Sequence, residues 1–453
     1  MSQRFSGFIT RYLPHFHSVT RDVSAAATDY FYGLFQSRKR NTERMEEAVP
    51  DADEQQLHHF LSASPWQDDA VCAQVTREAN AILGGHPDSS LIIDESGITK
   101  KGRHSAGVAR QYNGRLGKID NCQVGVFSAL SHGAKVCLIG ARLYLPKEWT
   151  KNSQRCATVG IPKTRRKHQT KQALAMELTR QAITHGAQFS WLLADAGYGH
   201  DLQFCQRLED ELALKFIVGV HKTQQVYLRD PEPAIPQAQS QRGPHPTRYR
   251  TQLRATTVQR WAKAQKRTAW KRITLRDATK GELRVEALWR RVWLWDRRSA
   301  QARHWWLLVQ RDPRTRTEYK YSLSNAEPTA SGEELCRQRA QRFWVERAFE
   351  DAKGQLGLDE YQSRGWRSWH HHMTMVSMGM LFLLEERQRH QPQHPLISCA
   401  DVLILLAYAL PKRQVSAEEI LRQMQIRHAK RQASIDHHRR KQRLEDQRQA
   451  HSG

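Results

Sequence analysis

Apolar residues recur every three or four positions in "FITRYLPHF" and "TDYFYGLF". That is the spacing of one helix face, and residues 1 to about 85 read as mostly helical. The pattern then changes. "SSLIIDESG" is a short apolar run closed by an acid and a glycine, and reads as a strand ending at Asp94. "NCQVGVFSALSHGAKVCLIGARLYLP" reads as two strands joined by a hairpin at Ser131-His132-Gly133. "KQALAMELTRQAITHG" is an amphipathic helix stopped by Gly186. "FSWLLADAGYG" is a strand ending in Asp195, "HDLQFCQRLEDEL" a helix and "KFIVGV" a strand. Three meandering strands followed by alternating helices and strands predict a mixed sheet covered by helices on both faces.

From 223 to 250 the prolines at 231, 233, 236, 244 and 246 mark an irregular loop. Beyond it, "RTAWKRITLRD", "GELRVEALWRRVWLWD", "RHWWLLVQRD" and "EYKYSLS" read as strands rich in Trp and Arg. Trp261, Trp270, Trp289, Trp293, Trp295, Trp305 and Trp306 lie in this region and are expected mainly as the core of a β-sandwich. Helical periodicity returns near Gly332 and carries "RFWVERAFEDAK". In the tail, Ser416 and Glu419 have capping-box spacing, and "HHRRKQRLEDQRQ" reads as a polar helix or a disordered arm. The expected division has five parts. Residues 1–85 form a helical DNA-binding region, and 86–222 the first part of an α/β core. Residues 223–335 form a β-rich insertion, 336–395 the second part of the core, and 396–453 a basic helical region.

Charge points to the partner. Lys and Arg total 71 against 46 Asp and Glu, a formal excess of +25, spread along the whole chain. A field of that size favours a polyanion, nucleic acid first. No run approaches the roughly 18 apolar residues of a spanning helix, and the N-terminal stretch lacks a signal-peptide core, so a cytoplasmic protein is expected. Seven scattered cysteines without a C-x-x-C exclude a disulfide framework and a zinc finger. No Gly-rich loop follows a strand, which excludes dinucleotide and kinase chemistry. The run His370–His372 reads as a polar or phosphate-facing stripe on a basic helix.

Against this basic background the acids stand out. If the first and fourth strands are neighbours, Asp94 and Asp195 lie side by side at their ends. Two such carboxylates repel unless a cation lies between them, and a hard divalent ion such as Mg²⁺ takes oxygen ligands of this kind. "RFWVERAFEDAK" offers a third acid. On a helical wheel Val345, Phe349 and Ala352 form an apolar stripe, with Arg342, Glu346 and Lys353 aligned beside it. Asp351 points away as a solvated charge, and Glu350 stays open beside Glu346. In the alternative reading, these acids pair with Arg342 and Lys353 on an exposed face.

The strand-Asp, strand-Asp, helix-Glu order resembles the RNase H-like core of DDE transposases. More closely, the chain is similar to the IS701 group of bacterial insertion-sequence transposases, relatives of the IS4 family. The likeness rests on "IDESGITKKGRHSAGVARQYNGRLGKIDNCQVGV", "LLADAGYG", "RFWVERAFEDAKGQLGLDEYQSRGWRSWHHH" and "DYFYGLFQSRKRNTERMEE". It implies an RNase H-like mixed sheet, flanked by helices and interrupted by the β-rich insertion. It implies metal-binding catalytic acids at Asp94, Asp195 and Glu346. Arg342, Glu346 and Lys353 match the last three members of a Tyr-x2-Arg-x3-Glu-x6-Lys pattern, whose spacing selects Glu346 over Glu350; Arg339 replaces its tyrosine. Arg342 and Lys353 would grip DNA phosphates, with Lys100, Lys101 and Arg103 as further DNA contacts.

The resemblance also implies two Mg²⁺ ions, replaceable by Mn²⁺. Asp94 would bridge both, and Asp195 and Glu346 would hold one each. The reaction would be cleavage at the element's ends, followed by attack of the 3′-OH on target DNA. The substrates would be double-stranded terminal inverted repeats and target DNA, met by a homodimer in a synaptic complex near the nucleoid. A nuclease that cuts without joining would carry the same three acids; a degenerate transposase kept for DNA binding is the other alternative, and intact acids at all three positions argue against it.

Overall fold

A computed structural model describes residues 1–18, 21–114, 116–237, 246–278 and 281–450. Its centre is one ten-stranded mixed sheet. The strands are β1 (Ser90–Thr99), β2 (Ala109–Asn113), β3 (Lys118–His132), β4 (Lys135–Leu143), β5 (Trp191–Ala194), β6 (Phe216–Val220), β7 (Lys271–Ala278), β8 (Gly281–Leu294), β9 (Arg303–Arg311) and β10 (Tyr319–Ser324). They lie in the order β7-β8-β9-β10-β6-β5-β1-β3-β2, with β4 also paired to β3. β1, β3 and β4 form the antiparallel meander, and β5 and β6 add in parallel to β1. The expected neighbours, first and fourth strands, are therefore paired, in an RNase H-like order. The β3–β4 hairpin turns at Gly133, whose φ of +56° suits a residue without Cβ.

Three features differ from the sequence expectation. β1 does not stop at Asp94 but runs to Thr99, because β3 pairs with it as far as Cys122. A short strand, β2, extends the outer edge of β3 beyond β4. The tryptophan-rich strands are not a separate sandwich: β10 pairs antiparallel with β6, so β7 to β10 continue the central sheet. Trp305 and Trp306 are buried in it. Trp270 instead carries the guanidinium of Arg311 over its face at 3.6 Å, and Trp293 stacks on His304 at 4.3 Å.

Helices cover the sheet. They are α1 (Ser2–Tyr12), α2 (Ser24–Gln36), α3 (Thr42–Ala48), α4 (Glu54–Ser62), α5 (Asp68–Leu83), α6 (Lys171–Thr184), α7 (Leu202–Asp210), α8 (Gly332–Ala340), α9 (Phe343–Leu356), α10 (Trp366–His390), α11 (Cys399–Ala409) and α12 (Ala417–Ala450). α10 is the hub and packs on β4, α4 and α5. Phe382 from α10 meets Phe5, Phe8 and Phe35 edge-on at 5.0–5.6 Å, each burial stabilising by about 1.5–3 kcal/mol. One continuous hydrophobic core runs from Phe5 through Leu192 to Trp305. The N-terminal helices thus share the core of the sheet.

His370, His371 and His372 are buried inside α10 rather than forming a polar stripe. The helix is apolar nearly all round, and each ring satisfies a neighbouring backbone carbonyl, of Trp366, Trp66 and Gly357 respectively. The tail is a helix from Ala417, and Ser416 Oγ accepts from Glu419 N at 3.1 Å. Arg427 and Lys430 tie it to Glu47 and Glu54 of the N-terminal helices. All seven cysteines are buried free thiols. Among the described residues no helix is long and apolar enough to cross a membrane.

Candidate active site

Register places the two aspartates. The last parallel pair between β1 and β5 is Ile93 with Ala194, so Asp94 and Asp195 are the next residues on adjacent strands. β5 ends there, and the chain turns into the short helix Ala196–Gly199. Asp195 caps that helix, its Oδ1 accepting from Gly197 N at 2.8 Å. The turn lies directly on β6. A Cβ at Gly199 would overlap the carbonyl oxygen of Gly219, and one at Gly219 would stand 2.8 Å from Ala196 N. Two glycines therefore set the height of Asp195 above the sheet.

α9 brings the third acid. Arg342 Nη1 donates to Asp94 Oδ2 at 2.7 Å, and Arg342 Nη2 donates to Glu346 Oε1 at 2.9 Å. The guanidinium thus bridges the buried carboxylate of β1 and the half-exposed one of α9. Burial pushes the Asp94 carboxyl up to about 7; Arg342 opposes that shift, and Asp195 adds to it. Asp195, Arg342 and Glu346 line an open cleft of about 730 Å³, together with Lys222, Arg276 and Phe343. Asp94 lies behind Arg342 and is not part of the cleft wall.

The other candidates separate clearly. Glu350 faces outward and pairs with Arg347 at 3.3 Å. Asp351 is buried, not solvated, and Arg347 approaches it at 3.5 Å; packing of α11 against α9 covers that side of the helix. Lys353 Nζ donates to the carbonyl of Gly97 at 3.3 Å, so Arg342 and Lys353 both fasten α9 to β1. Lys100 is turned inward, 3.7 Å over the ring of Tyr361 and donating to its carbonyl at 2.9 Å. Burial lowers the Lys100 ammonium to about 8. Lys101 and Arg103 are exposed on the following loop. Arg339, at the tyrosine position of the pattern, reaches Ser322 and Gln310 and braces β10 and β9.

Tyr198 was not singled out in the sequence. Its hydroxyl is fully buried without a hydrogen-bond partner. Burial holds its proton tightly, and the charges of Glu95, Asp94 and Asp195 add to that. The signal was present in "ADAGYG", which puts a tyrosine one turn after the acid. Arg276 was also overlooked; its guanidinium lies 4.2 Å from the Phe343 ring centroid, beside Glu346.

Among the described residues no three His, Cys, Asp or Glu side chains are grouped closely enough to hold a metal ion. The donor set nonetheless suits a hard cation. Oxygen ligands from Asp94 and Glu346 already converge on one positive group, the Arg342 guanidinium, with Asp195 adjacent. Arg342 occupies the position of a cation in this arrangement.

The RNase H-like sheet thus carries acids on two adjacent strands and faces a third on a helix. Residues 11–282, more than half of the chain, match the family described as DDE superfamily endonuclease. The chain belongs to that family. The match includes Asp94 and Asp195 and ends before the helix of Glu346. A probable transposase for insertion sequence element IS701 from Microchaete diplosiphon is 32% identical over 222 residues, covering 48% of this chain and 55% of that protein. The chain thus spans about half the length of this relative. A piggyBac transposase in a synaptic complex with hairpin DNA is similar at 11% identity and a TM-score of 0.40, over 86% of this chain and 72% of that one; the fold assignment here rests on the strand order.

Proposed function

We propose that this chain is a DNA transposase of the insertion-sequence type, with Asp94, Asp195 and Glu346 as its catalytic acids. The observation that carries this reading is the cation-centred bridge from Asp94 through Arg342 to Glu346, beside Asp195, at the wall of an open cleft lined by both acids and bases. The three carboxylates would hold Mg²⁺, or Mn²⁺ in its place. When bound, the metal supplies activation of the attacking oxygen and stabilisation of the leaving one.

The protein's own part is positioning and electrostatics. Lys222 and Arg276 draw the phosphate backbone into the cleft, and Arg339 braces the strands behind them. Arg342, once released from the acids, is placed to pair with a phosphate, and Lys353 keeps α9 seated on β1. Lys101 and Arg103 extend the contact along the DNA. Cleavage at the element's ends would expose a 3′-OH, which the same site would direct onto target DNA, two chains acting together. The 1–85 region would contribute DNA binding, and the chain would work beside the nucleoid.

The test is incubation of purified protein with Mg²⁺ and DNA carrying its element's ends, resolving nicked, hairpin and joined products. Glu346→Ala is expected to abolish cleavage and leave DNA binding intact, while Glu350→Ala cleaves normally. Normal cleavage by the Glu346 variant would remove that residue from the acid set. With pre-cut ends, joined product supports a transposase, and its absence beside active cleavage identifies a nuclease.

A further inference from the structure

A second cleft, of about 780 Å³, opens between α4, the loop after β1 and the start of α10. Four distant stretches of chain build it, the fourth being Thr158 to Gly160, and backbone bonds fix their arrangement. Ala106 N donates to the Arg364 carbonyl at 2.9 Å, and Trp366 N donates to the Val159 carbonyl at 2.8 Å. His58, His104, Arg364 and Arg367 stand around it, with Gly160 and Gly365 in its wall. No Asp or Glu is among its described lining residues, whereas the catalytic cleft mixes both signs. The side chains of Arg364 and His104 are exposed. Neither makes a side-chain hydrogen bond or ion pair among the described residues.

We infer that this cleft is a second docking site for duplex DNA, holding the phosphate backbone of the segment that flanks the scissile bond; the inference rests on the transposase reading. An acid-free cationic recess fits a phosphate run, and Gly160 in its wall lets a phosphate approach the backbone. Gly160 has no atom within 4 Å of where a Cβ would stand. The uncapped first turn of α10 adds N–H groups at the same place.

Spacing fits as well. From Asp94 to Lys100 β1 and its extension cover about 20 Å at roughly 3.3 Å per residue. Lys100 meets Tyr361 on the segment leading into the recess. The recess therefore lies beyond the end of β1 that is remote from Asp94. Lys101 and Arg103 lie on the loop between them. The recess reads no sequence; it fixes the angle at which the duplex enters the catalytic cleft.

The experiment uses the full chain and two labelled duplexes of the same end sequence. Both keep about twenty base pairs of the element end; one stops about three base pairs into the flank beyond the scissile bond, and the other extends about twenty. Arg364→Glu is expected to weaken binding of the long duplex about tenfold and to lower its salt slope by about one. Binding and Mg²⁺-dependent nicking of the short duplex should be unchanged. Arg364→Ala, checked by an unaltered melting temperature, should weaken only the long duplex, about threefold. Equal losses on both duplexes, or none on either, would overturn the inference. If the wild-type protein binds neither duplex, the transposase reading falls and this inference with it.

Discussion

The Arg342 guanidinium lies 2.7 Å from the buried Asp94 carboxylate while holding Glu346 with its other nitrogen. A buried acid and the cation that neutralises it are thus built into the same helix–strand contact. Any external cation must compete with Arg342 for Asp94. Arg342→Ala is therefore expected to enlarge the rise in melting temperature caused by Mg²⁺ or Mn²⁺ relative to wild type, because binding no longer costs an ion pair. Thermal shift across a metal titration at constant ionic strength checks this. Equal shifts in the two proteins would count against the competition.

Gly219 supports the turn of Asp195. A methyl group there would meet Ala196 N at 2.8 Å and the Asp195 carbonyl carbon at 3.1 Å, both of them backbone. Gly219→Ala should move Asp195 and cost about 1–3 kcal/mol of stability, the usual penalty for overpacking. DNA cleavage should fall by at least tenfold while duplex affinity is kept. Full cleavage by a folded Gly219→Ala protein would show that the height of this turn is not critical.

The orphaned hydroxyl of Tyr198 makes an opposite prediction. A buried donor without an acceptor costs about 1–3 kcal/mol, so Tyr198→Phe should leave the metal-free protein equally stable or up to about 2 kcal/mol more so. Denaturant unfolding with a chelator present measures it. A clear destabilisation would mean that the hydroxyl bonds in solution.

Acid should unfold the protein through α10. Burial lowers His370 and His371 to about 4 and His372 to about 3, against about 6.5 in an unfolded chain. His372 is fixed as the neutral ring, accepting from the Tyr30 hydroxyl at 2.7 Å and donating to the Gly357 carbonyl at 3.1 Å. Between pH 6.5 and about 4 the unfolded chain binds protons that the folded chain refuses. Stability is then complete above pH 6.5 and falls as pH drops, by about 1.4 kcal/mol per pH unit for each histidine. His371→Gln should reduce the slope of stability against pH by one proton. An unchanged slope in urea titrations from pH 4.5 to 7 would contradict the assignment.

Much of the site was legible because strand pairing follows element order. Strand–acid endings in "LIIDESG" and "LLADAGYG" placed Asp94 and Asp195 on neighbours, and the wheel placed Glu346 beside Arg342. Less legible was anything decided by tertiary cover. Asp351 lies on the polar side of its wheel, yet α11 buries it. The three histidines look like a surface stripe until the helices of the first 85 residues close over α10. Lys100 sits among basic neighbours but turns to the face of Tyr361. The insertion strands carried the right periodicity, which fixes strand character and leaves the partner sheet open; the pairing of β10 with β6 decided that.

That pairing has a mechanical consequence. β6 carries the support of the Asp195 turn on its Gly219 and, along its other edge, the whole insertion through β10. A load applied at β8 would pass through the continuous hydrogen-bonded ladders of β9, β10 and β6 as a change in twist. The first strand it meets beyond β10 is β6, whose Gly219 lies under the Asp195 turn. The insertion is thus a lever arm whose fulcrum lies one strand from the acids.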